Sequence, residues 1–373
     1  MEAKPHPIRD FIGKNAVMMI AFIAATVTSF IVPPDKKYAE YFDFKTLTCL
    51  FCVLAVVGAL RNIRFFYMLA RSIVRRFRTA RLCTLALVYI TFIGSMLIAN
   101  DMALLTFLPL GYFVLSASHK EKHMAFVFVM QNIAANLGGM LTPFGNPQNL
   151  YLYSKFDIPT GEFMGIMAPP FALAIFMITV CCMFVPNESM DVPDEPVRLP
   201  KLRTALYLLA FAFSILIVFR GIPYWTGLIV IPLLLLIMDR NALATVDYPL
   251  LFTFVFFFIF AGNMSRIPAV SNVFSGLLKR DTLLFSALSC QVISNVPSAI
   301  LLSQFTADYP ALLVGVNIGG TGTLIASLAS LITFREYTYH NPEKKLYYLG
   351  VFSAFNFAFL IIMILFMRFI MRY

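Results

Sequence analysis

Long apolar stretches that repeat along most of the chain constrain its fold more than any other feature. A helix needs about 20 apolar residues to cross a bilayer, and we predict nine spans, two of them interrupted. The uninterrupted spans are 12–32, 44–60, 163–185, 203–219, 224–238, 248–263 and 346–369. The interrupted spans, 122–154 and 310–334, contain Gly, Pro and polar residues. The chain is therefore predicted to be an all-α polytopic membrane protein.

Composition supports this class and excludes others. Hydrophobic residues make up 60% of the 373 residues and charged residues 13%, against about 25% charged residues in soluble domains. A soluble enzyme or a disordered chain of this size needs more polar residues. The net charge of +10 does not indicate a nucleic-acid partner, because the excess of Lys and Arg on the cytoplasmic side of a membrane protein accounts for this charge.

Two further apolar segments, 81–116 and 281–305, are predicted to be re-entrant hairpins. Their arms meet at Asn100-Asp101 and at Ser294-Asn295. We expect arms that are too short to cross twice, with polar tips that lie in protein or in a water-filled cavity, because unpaired backbone is not tolerated in lipid.

The resulting topology places about two thirds of the 29 Lys and Arg residues on one side. By the positive-inside rule the N-terminus is cytoplasmic and the C-terminus is outside. The densest basic segment, residues 61–81, mixes apolar and cationic residues at helical spacing. It is typical of an interfacial helix on the bilayer that binds anionic lipids, although a mechanical arm between two subdomains would have the same pattern.

An internal repeat is the most informative pattern. Residues 136–142 are Asn-Leu-Gly-Gly-Met-Leu-Thr and residues 317–323 are Asn-Ile-Gly-Gly-Thr-Gly-Thr. In each half the order is span, interfacial helix, hairpin, broken span, final span. Counting the crossings predicts two inverted-topology repeats, 1–185 and 203–373, joined by a cytoplasmic linker, 186–202. Inverted repeats with discontinuous helices are typical of secondary transporters, which bind substrate between the repeats.

The polar and glycine residues at the hairpin tips and helix breaks are the candidate binding residues. Amides and hydroxyls can hydrogen-bond an anion or coordinate Na⁺, and glycine lets the backbone approach a ligand. The set is Asn100, Asp101, Asn136, Gly138, Gly139, Thr142, Gly145, Asn146, Ser294, Asn295, Ser298, Asn317, Gly319, Gly320, Thr321 and Thr323, with Gln148, Asn149, Gly322 and Ser327 beside them. Alternatively, the Asn and Thr residues only cap broken helices.

Asp101 is the only acid that this topology places deep in the membrane, where ionisable groups are usually functional. It could carry a proton, complete a Na⁺ site with Asn100 and Asn295, or cap the following helix. We predict no cofactor; Na⁺ is the coupling ion under consideration.

The cysteines and histidines of the sequence do not form the pattern of a catalytic or metal site. All six cysteines lie in apolar runs and match no disulfide framework. His119 and His123 have metal-binding spacing but lie in a polar loop, where solvated side chains are expected. We therefore predict that the protein is not an enzyme.

The segment 136–149 (NLGGMLTPFGNPQN), preceded by Ala99-Asn100-Asp101, resembles permeases with a citrate-transporter-like domain. Their superfamily includes arsenite permeases, NhaD-type sodium/proton antiporters and divalent anion/sodium symporters. The chain resembles in particular the YbiR-type inner-membrane proteins, which are similar in length. The resemblance covers about residues 40–370. It implies a scaffold domain, a mobile domain that holds both hairpins, elevator-type alternating access, a bacterial inner-membrane location and often a homodimer.

The resemblance also limits what is carried over. In the symporters each hairpin carries Ser-Asn-Thr, whereas here the tips are Ala99-Asn100-Asp101 and Ser294-Asn295-Val296. Both asparagines match, but the first Ser and both Thr are absent. The leading prediction is a secondary transporter of a small carboxylate or oxyanion, coupled to Na⁺ or H⁺. The alternatives are a Na⁺/H⁺-type cation antiporter that uses Asp101, and a channel.

Overall fold

The computed structural model describes residues 15–190 and 199–371. Part of the predicted span 12–32, part of the predicted linker 186–202 and the last two residues lie outside the described residues. The described chain is almost entirely helical and contains no β-strand apart from one isolated bridge, Thr79 to Ser189. The predicted all-α membrane class is confirmed.

Eighteen α-helices follow one another in the described chain. The first eight are α1 Ala16–Ile31, α2 Phe44–Asn62, α3 Phe65–Val74, α4 Ala80–Ile98, α5 Asn100–Ala117, α6 Met124–Gly138, α7 Pro147–Lys155 and α8 Thr160–Met183. The remaining ten are α9 Lys201–Val218, α10 Trp225–Met238, α11 Arg240–Ala244, α12 Tyr248–Ser265, α13 Pro268–Arg280, α14 Thr282–Ile293, α15 Asn295–Leu302, α16 Tyr309–Ile318, α17 Leu328–His340 and α18 Lys345–Met371.

Eight helical units among the described residues are long and apolar enough to cross a membrane. They are α2, α4, α5, α8 and α9, and the longer units Glu121–Leu141, Arg240–Ser265 and Pro342–Met371. Helix α1 has 16 residues and α10 has 14, so the predicted span 224–238 is shorter than the roughly 20 residues that a perpendicular crossing needs.

The length argument for the first hairpin is wrong. Its arms, α4 and α5, have 19 and 18 residues, or about 27–29 Å at 1.5 Å per residue, and each is long enough to cross. The arms of the second hairpin, α14 and α15, have only 12 and 8 residues. The sidedness of the loops is unaffected, because a hairpin returns to its starting side whether it crosses or not.

The two halves contain the same five elements and make reciprocal contacts. Helix α5 packs against α17 of the other half, and α15 packs against α7. Helix α12 packs against α1, and α2 packs against α9. A two-fold relation between the halves would produce such pairs. The opposite orientation of the halves in the membrane remains a prediction.

Close backbone contacts repeat in the same way. A β-carbon on Gly58 would lie 3.3 Å from Oγ1 of Thr245, and one on Gly262 would lie 2.5 Å from the ring of Tyr41. Asp43 and Asp247 also act alike, since each accepts a hydrogen bond from the backbone N–H three residues on, at the start of α2 and α12. These caps fix where the first of the five repeated elements begins in each half.

Helix α3 lies inside the basic segment 61–81. It buries Phe66, Ala70 and Val74 and exposes Leu69 and Ile73, as expected for a helix with one face on the protein. It joins α2 to the first hairpin.

Candidate functional site

Both hairpins turn through a single residue with the same unusual backbone conformation. Ala99 has φ 67° and ψ 155°, and Ser294 has φ 74° and ψ 159°. Side chains rarely adopt this region, which costs about 1–3 kcal/mol and is found mainly where surrounding structure or function requires it. Each tip therefore places an asparagine, Asn100 or Asn295, at the first position of the returning helix.

The two tip asparagines make the same local bond. Oδ1 of Asn100 accepts from the N–H of Asp101 at 2.9 Å, and Oδ1 of Asn295 accepts from the N–H of Val296 at 2.9 Å. These bonds fix the amide orientation, because a backbone N–H can only donate. The Nδ2 group of each asparagine takes no part in this local bond and is left to donate a hydrogen bond elsewhere.

The broken helices pack tightly against the hairpins. A β-carbon on Gly138 would overlap the carbonyl oxygen of Phe92, and one on Gly319 would lie 2.9 Å from the Cα of Ala287. Only glycine allows this approach.

Hydroxyl groups after each break bind the hairpins. Oγ1 of Thr142 donates to the carbonyl of Met96 at 2.8 Å, and Oγ1 of Thr323 donates to the carbonyl of Gln291 at 3.0 Å. Each broken helix is thereby fixed to the hairpin of its own half.

A buried amide network joins the two halves. Asn317 donates to Oδ1 of Asn149 at 2.6 Å, and its own Oδ1 accepts from Asn146 at 3.3 Å and from Gln148 at 3.4 Å. On the other side, Asn100 donates to Asn136 at 3.3 Å. The two breaks and the first hairpin therefore form one hydrogen-bonded unit.

A cavity of about 150 Å³ lies in front of this network. One buried water needs roughly 10–15 Å³ on such a measure, so the cavity has room for a small solute. Four of the predicted binding residues line it: Asn100, Asp101, Ser294 and Asn295. The predicted neighbours Gln148 and Ser327 line it too.

The other predicted residues lie behind the cavity wall or within the breaks. This group is Asn136, Gly138, Gly139, Thr142, Gly145, Asn146, Ser298, Asn317, Gly319, Gly320, Thr321 and Thr323, none of which is among the lining residues. Their bonds are internal: Ser298 bonds to Ser289 at 2.9 Å, and Thr321 donates to the carbonyl of Ile318 at 2.6 Å. They shape the site rather than face a ligand in this state.

Two charged residues at the cavity were not among the predicted site residues. Asp247, which caps α12, and Arg335, on α17, both line it. Asp247 also lines an adjoining cavity of about 70 Å³ together with Asp101. In the sequence, Asp247 directly precedes the predicted span 248–263 and Arg335 directly follows the interrupted span 310–334. Neither position predicts a place at the site, because their approach to it depends on packing between the halves.

Helix N-termini from both halves converge on the cavity. The first residues of α5, α7, α15 and α17, namely Asn100, Pro147, Asn295 and Leu328, all line it. A helix N-terminus carries a partial positive charge that favours anions. At α15 the partial positive charge is present, but no backbone N–H of the first three residues is free to bind a ligand. The N–H of Asn295 donates to the carbonyl of Ala326, the N–H of Val296 donates to Oδ1 of Asn295, and Pro297 has no N–H.

Comparison with known proteins places the chain among membrane transporters. The family model described as "Citrate transporter" matches residues 6–311. An uncharacterized transporter of Methanocaldococcus jannaschii is 33% identical over 79% of this chain and 81% of its own length. Inner membrane protein YbiR of Escherichia coli is 27% identical over 88% and 89%.

A third relative matches over a shorter region. A silicon efflux transporter of Oryza sativa is 30% identical over 46% of this chain and 33% of its own length. Because the family model covers most of the sequence, the similarity does not depend on this partial match. The chain is a multi-pass membrane protein that belongs to the citrate transporter family.

Proposed function

We propose that the protein is a secondary transporter that carries a small carboxylate or oxyanion across the membrane together with Na⁺. The observation that carries this proposal is the convergence of four helix N-termini from both halves on one cavity. Partial positive charge at each helix end favours an anion without requiring a buried cation.

Side chains at the cavity supply suitable hydrogen-bond donors. Asn295 presents its Nδ2 group, since its Oδ1 already accepts from Val296. Ser327 adds a hydroxyl, and Arg335 adds one guanidinium at an exposed position. Such a set suits the oxygen atoms of a carboxylate or oxyanion.

Alternating access is supported by how the site is built. The hydrogen bonds of Asn317 to Asn146, Gln148 and Asn149 tie the second break to the first. We infer that both hairpins and both broken helices move as one body against α1, α2, α9 and α12, exposing the cavity to each side in turn.

The first experiment is an anion-dependent uptake assay with purified protein in proteoliposomes. We would test citrate, succinate, phosphate, sulfate, arsenite and silicic acid, each with an inward Na⁺ gradient or with K⁺ in its place. We expect accumulation of at least one anion that requires the Na⁺ gradient. Absence of uptake of every solute under both gradients would contradict the proposal. Uptake of only arsenite or silicic acid, which are both uncharged at neutral pH, would contradict an anionic substrate.

A cation antiporter is the second candidate, and a specific observation favours it. Oδ1 of Asp101 is buried without a hydrogen-bond partner, and Asp247 lines the same two cavities. The discriminating variant is Asp101→Asn. An antiporter should lose Na⁺-dependent proton movement completely, whereas an anion transporter should keep anion binding and lose Na⁺ dependence. Proton flux in wild-type vesicles without any added anion would favour the antiporter.

A further inference from the structure

Two acidic side chains and one basic side chain line the central cavity. Among the described residues that line it, the ionisable ones are Asp101, Asp247 and Arg335. When all three are ionised their charges sum to −1. In that protonation state an anion that enters meets a net negative wall, which opposes the attraction of the helix N-termini.

A neutral oxygen atom beside these carboxylates also lacks a partner. Gln148 is 1% exposed and lines the cavity, and its Oε1 has no hydrogen-bond partner. Buried polar atoms are usually paired, and an unpaired one requires a specific explanation such as a bound ion.

The surrounding network fixes which atom of Gln148 is unpaired. Asn317 donates from Nδ2 to the carbonyl of Leu313 at 2.8 Å, and a carbonyl can only accept. Oδ1 of Asn317 must therefore be the acceptor for Gln148, which has to present Nε2 to it. Oε1 of Gln148 is consequently left as an acceptor without a donor.

We propose that Asp101, Asp247 and Gln148 supply oxygen ligands for one Na⁺ ion at the wall of the cavity. This inference rests on the proposed function and deepens it by naming the coupling site. Asp101 and Gln148 lie on α5 and α7, in the body that we infer to move, whereas Asp247 precedes α12 in the other body. All three residues would therefore contact the ion in this state, and the movement would separate Asp247 from it.

The charge balance explains why the cation would be needed for anion transport. A monovalent cation brings the net charge of the three lining groups from −1 to zero. The partial positive charges of α5, α7, α15 and α17 then act on the anion without opposition. Na⁺ binding would thus raise the affinity for the anion, and by linkage the anion would raise the affinity for Na⁺.

The test uses the full chain in detergent, without added substrate anion, and titrates NaCl against KCl at constant ionic strength. A ligand that binds only the folded protein raises its stability as RT ln(1 + [L]/Kd), so the melting temperature reports Na⁺ affinity. We expect a Na⁺-specific rise in wild type. Asp247→Asn should raise the apparent Kd for Na⁺ at least tenfold, as should Gln148→Met.

The chain offers a matched control for Asp247→Asn. Asp43 caps α2 as Asp247 caps α12, yet Asp43 does not line the cavity. Because Asn caps helices about as well as Asp, both variants should fold, and Asp43→Asn should bind Na⁺ like wild type. Gln148→Met tests the same site without changing a cap.

Each remaining outcome decides against the inference. A Na⁺ response that is lost in Asp101→Asn but kept in Asp247→Asn and Gln148→Met would leave the proposed transport function intact and overturn the three-residue site. Equal melting temperatures in Na⁺ and K⁺ for wild type would also overturn it, and anion uptake without Na⁺ dependence would then identify a different coupling mechanism.

Discussion

Gly138 is packed directly against the backbone of the first hairpin. A β-carbon there would overlap the carbonyl oxygen of Phe92 and lie 2.6 Å from Oγ of Ser95. We therefore expect Gly138→Ala to destabilise the protein by at least the 1–3 kcal/mol that overpacking costs and to abolish uptake. Thermal unfolding in detergent is the measurement.

A second glycine is the control for this prediction. A β-carbon on Gly165, in the exposed part of α8, would meet no atom within 4 Å, so Gly165→Ala should be neutral or slightly stabilising. Equal melting temperatures for Gly138→Ala and wild type would show that the hairpin and the broken helix are not packed as described.

At the hairpin tips, substitution by glycine is expected to raise the stability of the protein. Glycine adopts the backbone conformation of Ala99 without strain, so Ala99→Gly should relieve about 1–3 kcal/mol and lose about 0.5–1 kcal/mol of chain entropy. We expect a higher melting temperature. Ser294→Gly should gain less, because Oγ of Ser294 donates to the carbonyl of Ala326 at 3.3 Å. Ala103→Gly, inside α5, should lower the melting temperature; the same decrease in Ala99→Gly would contradict a strained tip.

At the scale of elements, the segment 184–190, which follows α8, is hydrogen-bonded to the start of the first hairpin. The carbonyl of Glu188 accepts from the N–H of Ala80 at 2.8 Å, and Met190 donates to the carbonyl of Arg78 at 2.9 Å. The side chain of Glu188 forms ion pairs with Lys120 and Lys122, each at 2.6 Å. The segment therefore links both ends of the hairpin to α8.

These ion pairs predict a pH dependence. Hydrogen bonds from Lys120, and then from Lys122, lower the pKa of Glu188 from 4.5 to about 2. A pKa lowered by folding means that the ionised carboxylate contributes stability above about pH 4.5, and that this contribution is lost as the pH falls towards 2. Glu188→Gln should therefore lower the melting temperature at pH 7, and the difference from wild type should shrink below pH 4.5.

The lysines provide the control for Glu188. In a variant that already carries Lys120→Gln and Lys122→Gln, the further change Glu188→Gln should have little effect, because the interaction has been removed. High salt should reduce the effect in the wild-type background, since the pairs are partly exposed. A difference between wild type and Glu188→Gln that does not vary between pH 7 and pH 3.5 would contradict the ion-pair explanation.

Sequence alone predicted the elements better than their meeting points. The helical class follows from the lengths of apolar runs, and the interruptions after Gly138 and before Leu328 coincide with local Gly and Pro chemistry. The polar pair Asn100-Asp101 predicts where the arms of the first hairpin meet, but the prediction that these arms are too short to cross is wrong, because they have 19 and 18 residues. Asp247 and Arg335 reach the cavity only because the halves pack reciprocally, which no local pattern encodes.

At the scale of the whole molecule, the lining of the cavity indicates which side it faces. It includes residues from the start of α1 (Met18), the start of α12 (Leu250) and the middle of α17 (Leu331 and Arg335). The positive-inside topology places the adjacent ends of these helices in the cytoplasm. Among the described residues, none of the segments that it places outside, such as 264–280, contributes a lining residue. We infer that this structure is the inward-facing state.

Cysteine labelling tests both the orientation and the state. Five of the six native cysteines are buried and Cys181 is partly so, so a Cys181→Ser background should react little with a membrane-impermeant maleimide. We expect Met18→Cys and Leu331→Cys to react in inside-out vesicles and not in right-side-out vesicles. Lys279 is exposed on α13, so Lys279→Cys should react only in right-side-out vesicles and reports the orientation independently.

If Lys279→Cys behaves as expected while Met18→Cys reacts only from the outside, the orientation is right and the inward-facing assignment is wrong. If Lys279→Cys reacts only from the inside, the orientation itself is wrong, because the loop after α12 would then be cytoplasmic.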